Sequence, residues 1–201
     1  MKLYFAPGAC SLASHITLLE LGLPFEAIAV DLTKKTTKSG VDYNIINPKG
    51  YVPALELDDG SILTEGTAIL QYLADQKAGA ALAPANGTLA RYRLQEWLGF
   101  INSEVHKSFS PLFAADTPDA TRQASKDRLA KRFDYIEGTL GKKPFLMGEQ
   151  FTVADAYLHT VLGWSKLVGI ELAKWPAISA YQTRIAGRPA VQAAKKAEHG
   201  G

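Results

Sequence analysis

The first thirty residues constrain this chain most. Lys2–Ala6 is a short apolar run carrying two aromatics, and Pro7-Gly8 breaks it with a turn. From Ser11 to Leu21 the apolar residues Leu12, Ile16 and Leu19, with Leu23 beyond, follow helical spacing, and Gly22 and Pro24 stop the helix. Phe25–Val30, apolar and partly β-branched, predicts a second strand. Strand, helix and strand within about thirty residues make a βαβ unit with a right-handed crossover. Further on, Asn47-Pro48-Lys49-Gly50 is a turn, Val52–Leu57 a strand, Asp58-Asp59-Gly60 a hairpin turn and Ser61–Leu63 the returning strand. Thr64–Asp75 then reads as a helix with Ala68, Ile69, Tyr72 and Leu73 on one face. The front of the chain is therefore an α/β domain, βαβ followed by ββα.

The back of the chain is different. KAGAALAPANG over 77–87 has the Ala, Gly and Pro content of a linker, and every long segment beyond it is helical. Leu94, Leu98, Ile101, Val105, Phe109 and Leu112 recur at three- and four-residue steps over about five turns. Leu129, Phe133, Ile136 and Leu140 form a second stripe, and Tyr157, Val161, Trp164 and Leu167 a third. Pro176 and Pro189 mark the starts of two shorter helices. Charge changes at the same place: residues 1–80 carry six Lys and nine acids, whereas 81–201 carry sixteen basic and eleven acidic side chains. The boundaries expected are a domain over 1–80, a linker over 81–87 and an all-α bundle over 88–201.

Several function classes drop out. The net charge of +2 is small and the basic residues are scattered, which reads as solvated helix faces rather than a phosphate track. No stretch approaches the ~20 apolar residues of a membrane-spanning helix, and MKLYFAPGACS lacks a signal-peptide pattern. A single cysteine, with His15, His106, His159 and His199 far apart in sequence, shows no metal-ligand spacing and fits a reducing cytosol. A cytoplasmic protein without metal is the expectation. Nucleotide-binding glycine motifs and the G-x-S-x-G nucleophile elbow are absent.

Cys10 stands between a strand-ending turn and a helix, where free amide N–H groups and the helix dipole favour a thiolate; a lone buried cysteine packing as a small hydrophobe is the alternative. Val52-Pro53 opens a strand. A cis bond there points the backbone of Val52 at a ligand beside Cys10, whereas a trans bond makes a simple loop. At Thr64-Glu65-Gly66-Thr67 the helix-start N–H groups suit a ligand carboxylate and Glu65 a ligand ammonium, or the stretch is only a cap. Thr152-Val153-Ala154-Asp155 is a capping box, with Phe151 as its staple. His106-Lys107 either stabilises a thiolate or is a solvated helix face. His15 and His159 read as structural, and Tyr4 as a strand core residue able to donate to a sulfur.

Five stretches taken together, KLYFAPGACSLASHI, NPKGYVPAL, LTEGTAILQYLAD, EVHKSFSPLF and FTVADAYL, resemble the glutathione transferase superfamily, and within it the bacterial beta class. The resemblance runs over essentially the whole chain, in order. It implies a thioredoxin-like domain over 1–80 that binds glutathione, and a helical domain over 88–201 that supplies the electrophile pocket, with glutathione in the cleft between the two. Cys10, His106 and Lys107 are the catalytic residues it implies, with Cys10 able to form a mixed disulfide. Val52 and cis-Pro53 then pair with the cysteinyl backbone, Glu65 and Gly66 hold the γ-glutamyl end, and Lys35 the glycine carboxylate. The class is homodimeric, so Ser103 and Glu104 reach the neighbouring subunit's site.

The activity implied is conjugation of glutathione, as co-substrate, to small apolar electrophiles, a detoxification chemistry, with thiol–disulfide exchange or peroxidase turnover through Cys10. No permanently bound cofactor is implied. A disulfide reductase, or a non-enzymatic binding or regulatory protein on the same scaffold, are the rival readings. Two positions depart from the pattern: Gly66 replaces the serine common in the superfamily, and Gly99 replaces an asparagine that faces the ligand sulfur in some relatives. The physiological electrophile is not readable from these residues.

Overall fold

The computed structural model describes residues 1–77 and 79–199; Ala78 of the linker stretch, and residues 200–201 of the expected helical domain, lie outside the described residues. The chain divides into two compact units, Met1–Ala80 together with the segment from Arg188 onward, and Ala81–Gly187.

In the first unit, β1 (Lys2–Phe5), α1 (Leu12–Leu21) and β2 (Glu26–Asp31) form the βαβ motif, β1 and β2 pairing in parallel from Lys2↔Glu26 to Phe5↔Ala29. Helix α1 ends where Gly22 takes φ +63° and returns its N–H to the last turn, a conformation that favours glycine. β4 (Ala54–Glu56) and β5 (Ile62–Thr64) are the hairpin, and β4 lies antiparallel to β1, giving the order β3-β2-β1-β4-β5. β3 (Thr36–Thr37) and α2 (Tyr43–Ile46) fall between the two motifs, where elements of two and four residues leave no periodicity to read. Helix α3 (Gly66–Asp75) starts two residues later than the spacing predicts. The reason is local: Thr64 is still paired with Ala54, and Glu65 sits at φ +71°.

The last helix, α9 (Pro189–His199), groups with this unit although the sequence reading carries the helical domain to 201. It lies along α1. Glu198, buried, accepts the N–H of Gly8 at 3.1 Å and meets Nδ1 of buried His15 at 3.1 Å, and Arg188 forks onto Glu20 at 2.6 and 2.9 Å. The His15 ring also packs on Phe5 and Phe25, which bears out its structural reading.

The second unit is helical. α4 (Leu89–Phe100), a π-helical stretch (Ile101–His106) and α5 (Lys107–Phe113) run on continuously; α6 (Asp119–Leu140) and α7 (Val153–Leu162) pack against that run, and α8 (Pro176–Ala186) against α6 and α7. The predicted stripes are its core: Leu94, Leu98, Ile101, Val105, Phe109, Leu129, Phe133 and Ile136 are all buried. Leu167 is the exception at 73% exposed. After Leu162 the backbone tightens into a 3₁₀ helix (Gly163–Val168), so a residue placed by 3.6-residue spacing swings off the buried face. The capping box forms: the N–H and Oγ1 of Thr152 donate to Asp155 Oδ2, and the Phe151 ring packs edge-on against Phe145. His159 is buried on α7.

Candidate active site

Cys10 lies in the turn between β1 and α1, two residues before the helix begins. Ser11 braces that turn, its Oγ accepting the N–H of Ala6 at 3.2 Å. The thiol of Cys10, half-buried, donates to the carbonyl of Val52 at 3.3 Å. The Val52-Pro53 bond is cis, and Pro53 leads directly into β4. The loop before it is held from below, where Tyr43 Oη and Asn47 Nδ2 both donate to the carbonyl of Tyr51, at 3.0 and 2.7 Å. A sulfur, a helix N-terminus and a strand-edge backbone thus meet at one place.

The other residues singled out in the first domain stand around the same loop. Lys35 Nζ donates to the carbonyl of Gly50 at 2.6 Å. Glu65, between β5 and α3, has a positive φ that a non-glycine residue adopts only where its surroundings over-determine it, at a cost of about 1–3 kcal/mol. Its carboxylate accepts from Tyr51 Oη at 2.6 Å and pairs with Lys49, whose ammonium also donates to Thr64 Oγ1 and stands over the Tyr51 ring. Those bonds to Glu65 raise the pKa of both Lys49 and Tyr51. Lys49 and Tyr51 were not singled out from the sequence; their signal was the NPKGYVPAL stretch, in which Lys49 was read as part of a turn and Tyr51 only as part of the resemblance. Gly66 opens α3 beside Pro53, whose Cγ stands 3.8 Å from where a Cβ would lie. Tyr4 gives its hydroxyl to Glu56 at 2.6 Å rather than to a sulfur.

In the second unit, His106 closes the π-helical stretch and Lys107 opens α5. Nδ1 of His106 lies 2.7 Å from Tyr157 Oη, and that hydroxyl donates to Asn102 Oδ1 at 3.0 Å. The imidazole stacks edge-on against Trp164, with ring centres 4.8 Å apart. Burial, and secondarily the charge of Lys107, push its pKa down to about 4, so the ring is neutral at pH 7. Around Trp164 stand Phe109, fully buried, and Phe113, half exposed. The adjoining Ser103 returns its hydroxyl to the carbonyl of Gly99, and Glu104 receives the guanidinium of Arg132. Sequence reasoning missed Tyr157 and Asn102 as partners of His106; Tyr157 was read as one position of an apolar stripe.

A concavity of about 830 Å³ in the first unit, lined by Met1, Phe25, Asp58 and Tyr72 among others, contains none of these residues. The site is therefore assigned by its chemistry and not by hollowness. Among the described residues no His, Cys, Asp and Glu side chains gather as metal ligands do, and no helix is long and apolar enough to cross a membrane.

Comparison with known proteins agrees with this chemistry. Residues 8–76 match the family described as "Glutathione S-transferase, N-terminal domain", and residues 100–189 "Glutathione S-transferase, C-terminal domain". The chain is 48% identical over 198 residues to glutathione S-transferase GstA of Escherichia coli O157:H7, covering 98% of each. It is similar to a sphingomonad glutathione S-transferase solved in complex with glutathione, at TM-score 0.96 and 49% identity over 99% of both chains. The bacterial beta-class enzyme of Sphingomonas chungbukensis superposes at TM-score 0.96, with 48% identity over 98% of both. With both family domains in order along one chain, and nearly half of all positions identical over its length, the chain belongs to the glutathione S-transferase family and is a glutathione transferase of the bacterial beta type.

Proposed function

We propose that this transferase joins glutathione to small apolar electrophiles, and that Cys10 adds thiol–disulfide exchange or peroxidase turnover to that activity. The observation that carries the reading is the position of Cys10: half-buried, ahead of the α1 N-terminus, with its sulfur against the carbonyl of Val52. Amide N–H groups at a helix start favour a sulfur anion. The backbone of Val52 offers a peptide-like co-substrate a short antiparallel pairing. In this proposal Val52, Pro53, Glu65, Gly66 and Lys35 hold glutathione, Glu65 taking its ammonium and Lys35 its glycine carboxylate.

His106 and Lys107 act on the sulfur, and Trp164, beside His106, with Phe113 against Trp164, receives the electrophile. Domain roles follow: residues 1–80 bind glutathione, and the helical unit from 88 to 187 contributes the electrophile pocket. Ser103 and Glu104 serve the neighbouring subunit of a cytoplasmic homodimer, and the physiological task is detoxification. In conjugation the thiolate sulfur forms a bond to the electrophilic carbon, whose leaving group departs with the electron pair. In exchange the Cys10 thiolate attacks oxidised glutathione, whose S–S bond breaks to leave a mixed disulfide and one glutathione thiolate.

Intact mass after incubation with oxidised glutathione, beside turnover of a generic aromatic electrophile with reduced glutathione, tests the reading. One glutathionyl adduct, absent in Cys10→Ser, together with turnover is the expected outcome. Folded protein showing neither adduct nor turnover overturns it.

A further inference from the structure

The environment of His106 assigns a role to a residue far from it in sequence. Tyr157 is buried on α7, and its hydroxyl carries one hydrogen, which goes to Asn102 Oδ1 at 3.0 Å. The same hydroxyl lies 2.7 Å from His106 Nδ1. With that hydrogen on Asn102, the hydroxyl accepts from the ring, an arrangement that puts the ring proton on Nδ1 and leaves Nε2 its lone pair. The remaining neighbours leave that choice alone: Trp164, from the 3₁₀ helix, meets the ring edge-on, and Lys107 offers no acceptor.

We infer that Tyr157, oriented by Asn102, is a positioning residue that fixes His106 as its Nδ1–H tautomer and so presents Nε2 as the proton acceptor for a thiol. The inference rests on the proposed role of His106 at the sulfur. In the step it serves, the S–H bond breaks, an N–H bond forms at Nε2, and the electron pair stays on sulfur. The imidazolium so formed keeps its Nδ1–H on the Tyr157 hydroxyl, and the positive charge of Lys107 favours the sulfur anion. A ring held in the other tautomer presents an N–H where the proton has to arrive. Burial and Lys107 leave Nε2 unprotonated at neutral pH and, by the same effect, disfavour the imidazolium, so the proton passes on to solvent. Among the described residues, Tyr157 from α7 and Lys107 from the ring's own helical run are the titratable and charged groups that meet the ring in this unit.

The test is ¹⁵N NMR of histidine-labelled enzyme at pH 7, with the His106 signals assigned by their loss in His106→Asn, beside steady-state kinetics. Wild type is expected to show Nδ1 protonated and Nε2 bare. In Tyr157→Phe, which keeps the ring and its packing, the pattern shifts toward Nε2–H. With it kcat falls about three- to tenfold, the worth of one hydrogen bond, and KM for glutathione stays within about twofold. Asn102→Ala, at a partly exposed position, is the second variant: freed of its acceptor, the Tyr157 hydroxyl donates to Nδ1 and moves the tautomer the same way.

A Tyr157→Phe enzyme that keeps the Nδ1–H signature, or changes tautomer with kcat unaltered, overturns the inference. Wild-type turnover in His106→Asn strikes instead at the reading beneath it, that His106 handles the thiol. A slow His106→Asn with an unperturbed Tyr157→Phe removes only the positioning role.

Discussion

Replacing Asp155 by alanine probes the join between local and tertiary structure in the helical unit. Its carboxylate is fully buried and takes four hydrogen bonds. Oδ1 accepts the N–H of Leu146 at 2.9 Å and the hydroxyl of Tyr181 at 3.1 Å. Oδ2 accepts the N–H of Thr152 at 2.8 Å and its hydroxyl at 2.9 Å. In Asp155→Ala the two hydroxyls have recourse, for Tyr181 also reaches the carbonyl of residue 155 at 3.2 Å and that of Thr152 can rotate. The two amides, from buried residues, have none. Each stranded N–H costs about 1–3 kcal/mol.

Removing a buried charge, whose pKa burial raises, offsets part of this loss. A net destabilisation of about 3 kcal/mol remains, which for a chain of this size lowers Tm by roughly 6–12 °C. Asp155→Asn should cost roughly half, about 1.5 kcal/mol, since Oδ1 survives and only the Thr152 amide faces a donor. Urea unfolding followed by far-UV circular dichroism, with calorimetry for Tm, measures both. A Tm within about 2 °C of wild type for Asp155→Ala, or a larger loss for Asn than for Ala, refutes the accounting.

Three further outcomes are expected. The pKa of His106 lies at about 4 in the folded chain against 6.5 when unfolded, so the unfolded state binds the extra proton first. This contribution to stability is complete above pH 6.5 and is lost as pH falls toward 4, a change of roughly 3 kcal/mol at 1.36 kcal/mol per pH unit; His106→Asn should flatten that part of the stability–pH curve, and a parallel curve argues against the shift. Gly66→Ser adds a hydroxyl where a Cβ meets Pro53 only at ordinary contact distance, and should lower KM for glutathione about fivefold, the worth of one hydrogen bond; an unchanged KM argues against Gly66 as a contact. Gly99→Asn meets no atom within 4 Å of its Cβ and removes a helix-interior glycine, so Tm should hold or rise while the pH–rate profile moves to lower pH. An unmoved profile counts against a sulfur contact from position 99.

Much of the architecture is legible in the residues because it rests on short-range physics. Pro7-Gly8, Gly22 and Pro24 punctuate the βαβ unit, Asp58-Asp59-Gly60 turns the hairpin, and the stripes from Leu94 to Leu112 and from Leu129 to Leu140 mark buried helix faces. These signals lie within a few residues of one another, so the chain carries them before it folds. The setting of Cys10 was readable for the same reason: turn, cysteine and helix start are contiguous.

What the tertiary structure alone decides is which distant groups meet. Glu65 takes a positive φ and shares its carboxylate with Lys49 and Tyr51, and no spacing of three or four residues announces that. The last helix lies along α1, where Glu198 meets Gly8 and His15, residues 190 and 183 positions before it. The protonation of His106 belongs here too. Its neighbours in sequence supply Lys107, but the hydroxyl that chooses its tautomer comes from α7, fifty-one residues further on, and the ring it packs on, Trp164, from the 3₁₀ helix after it. Local order follows from propensity and periodicity. The electrostatics of a buried group depend on everything packed around it, and only the folded chain assembles those surroundings.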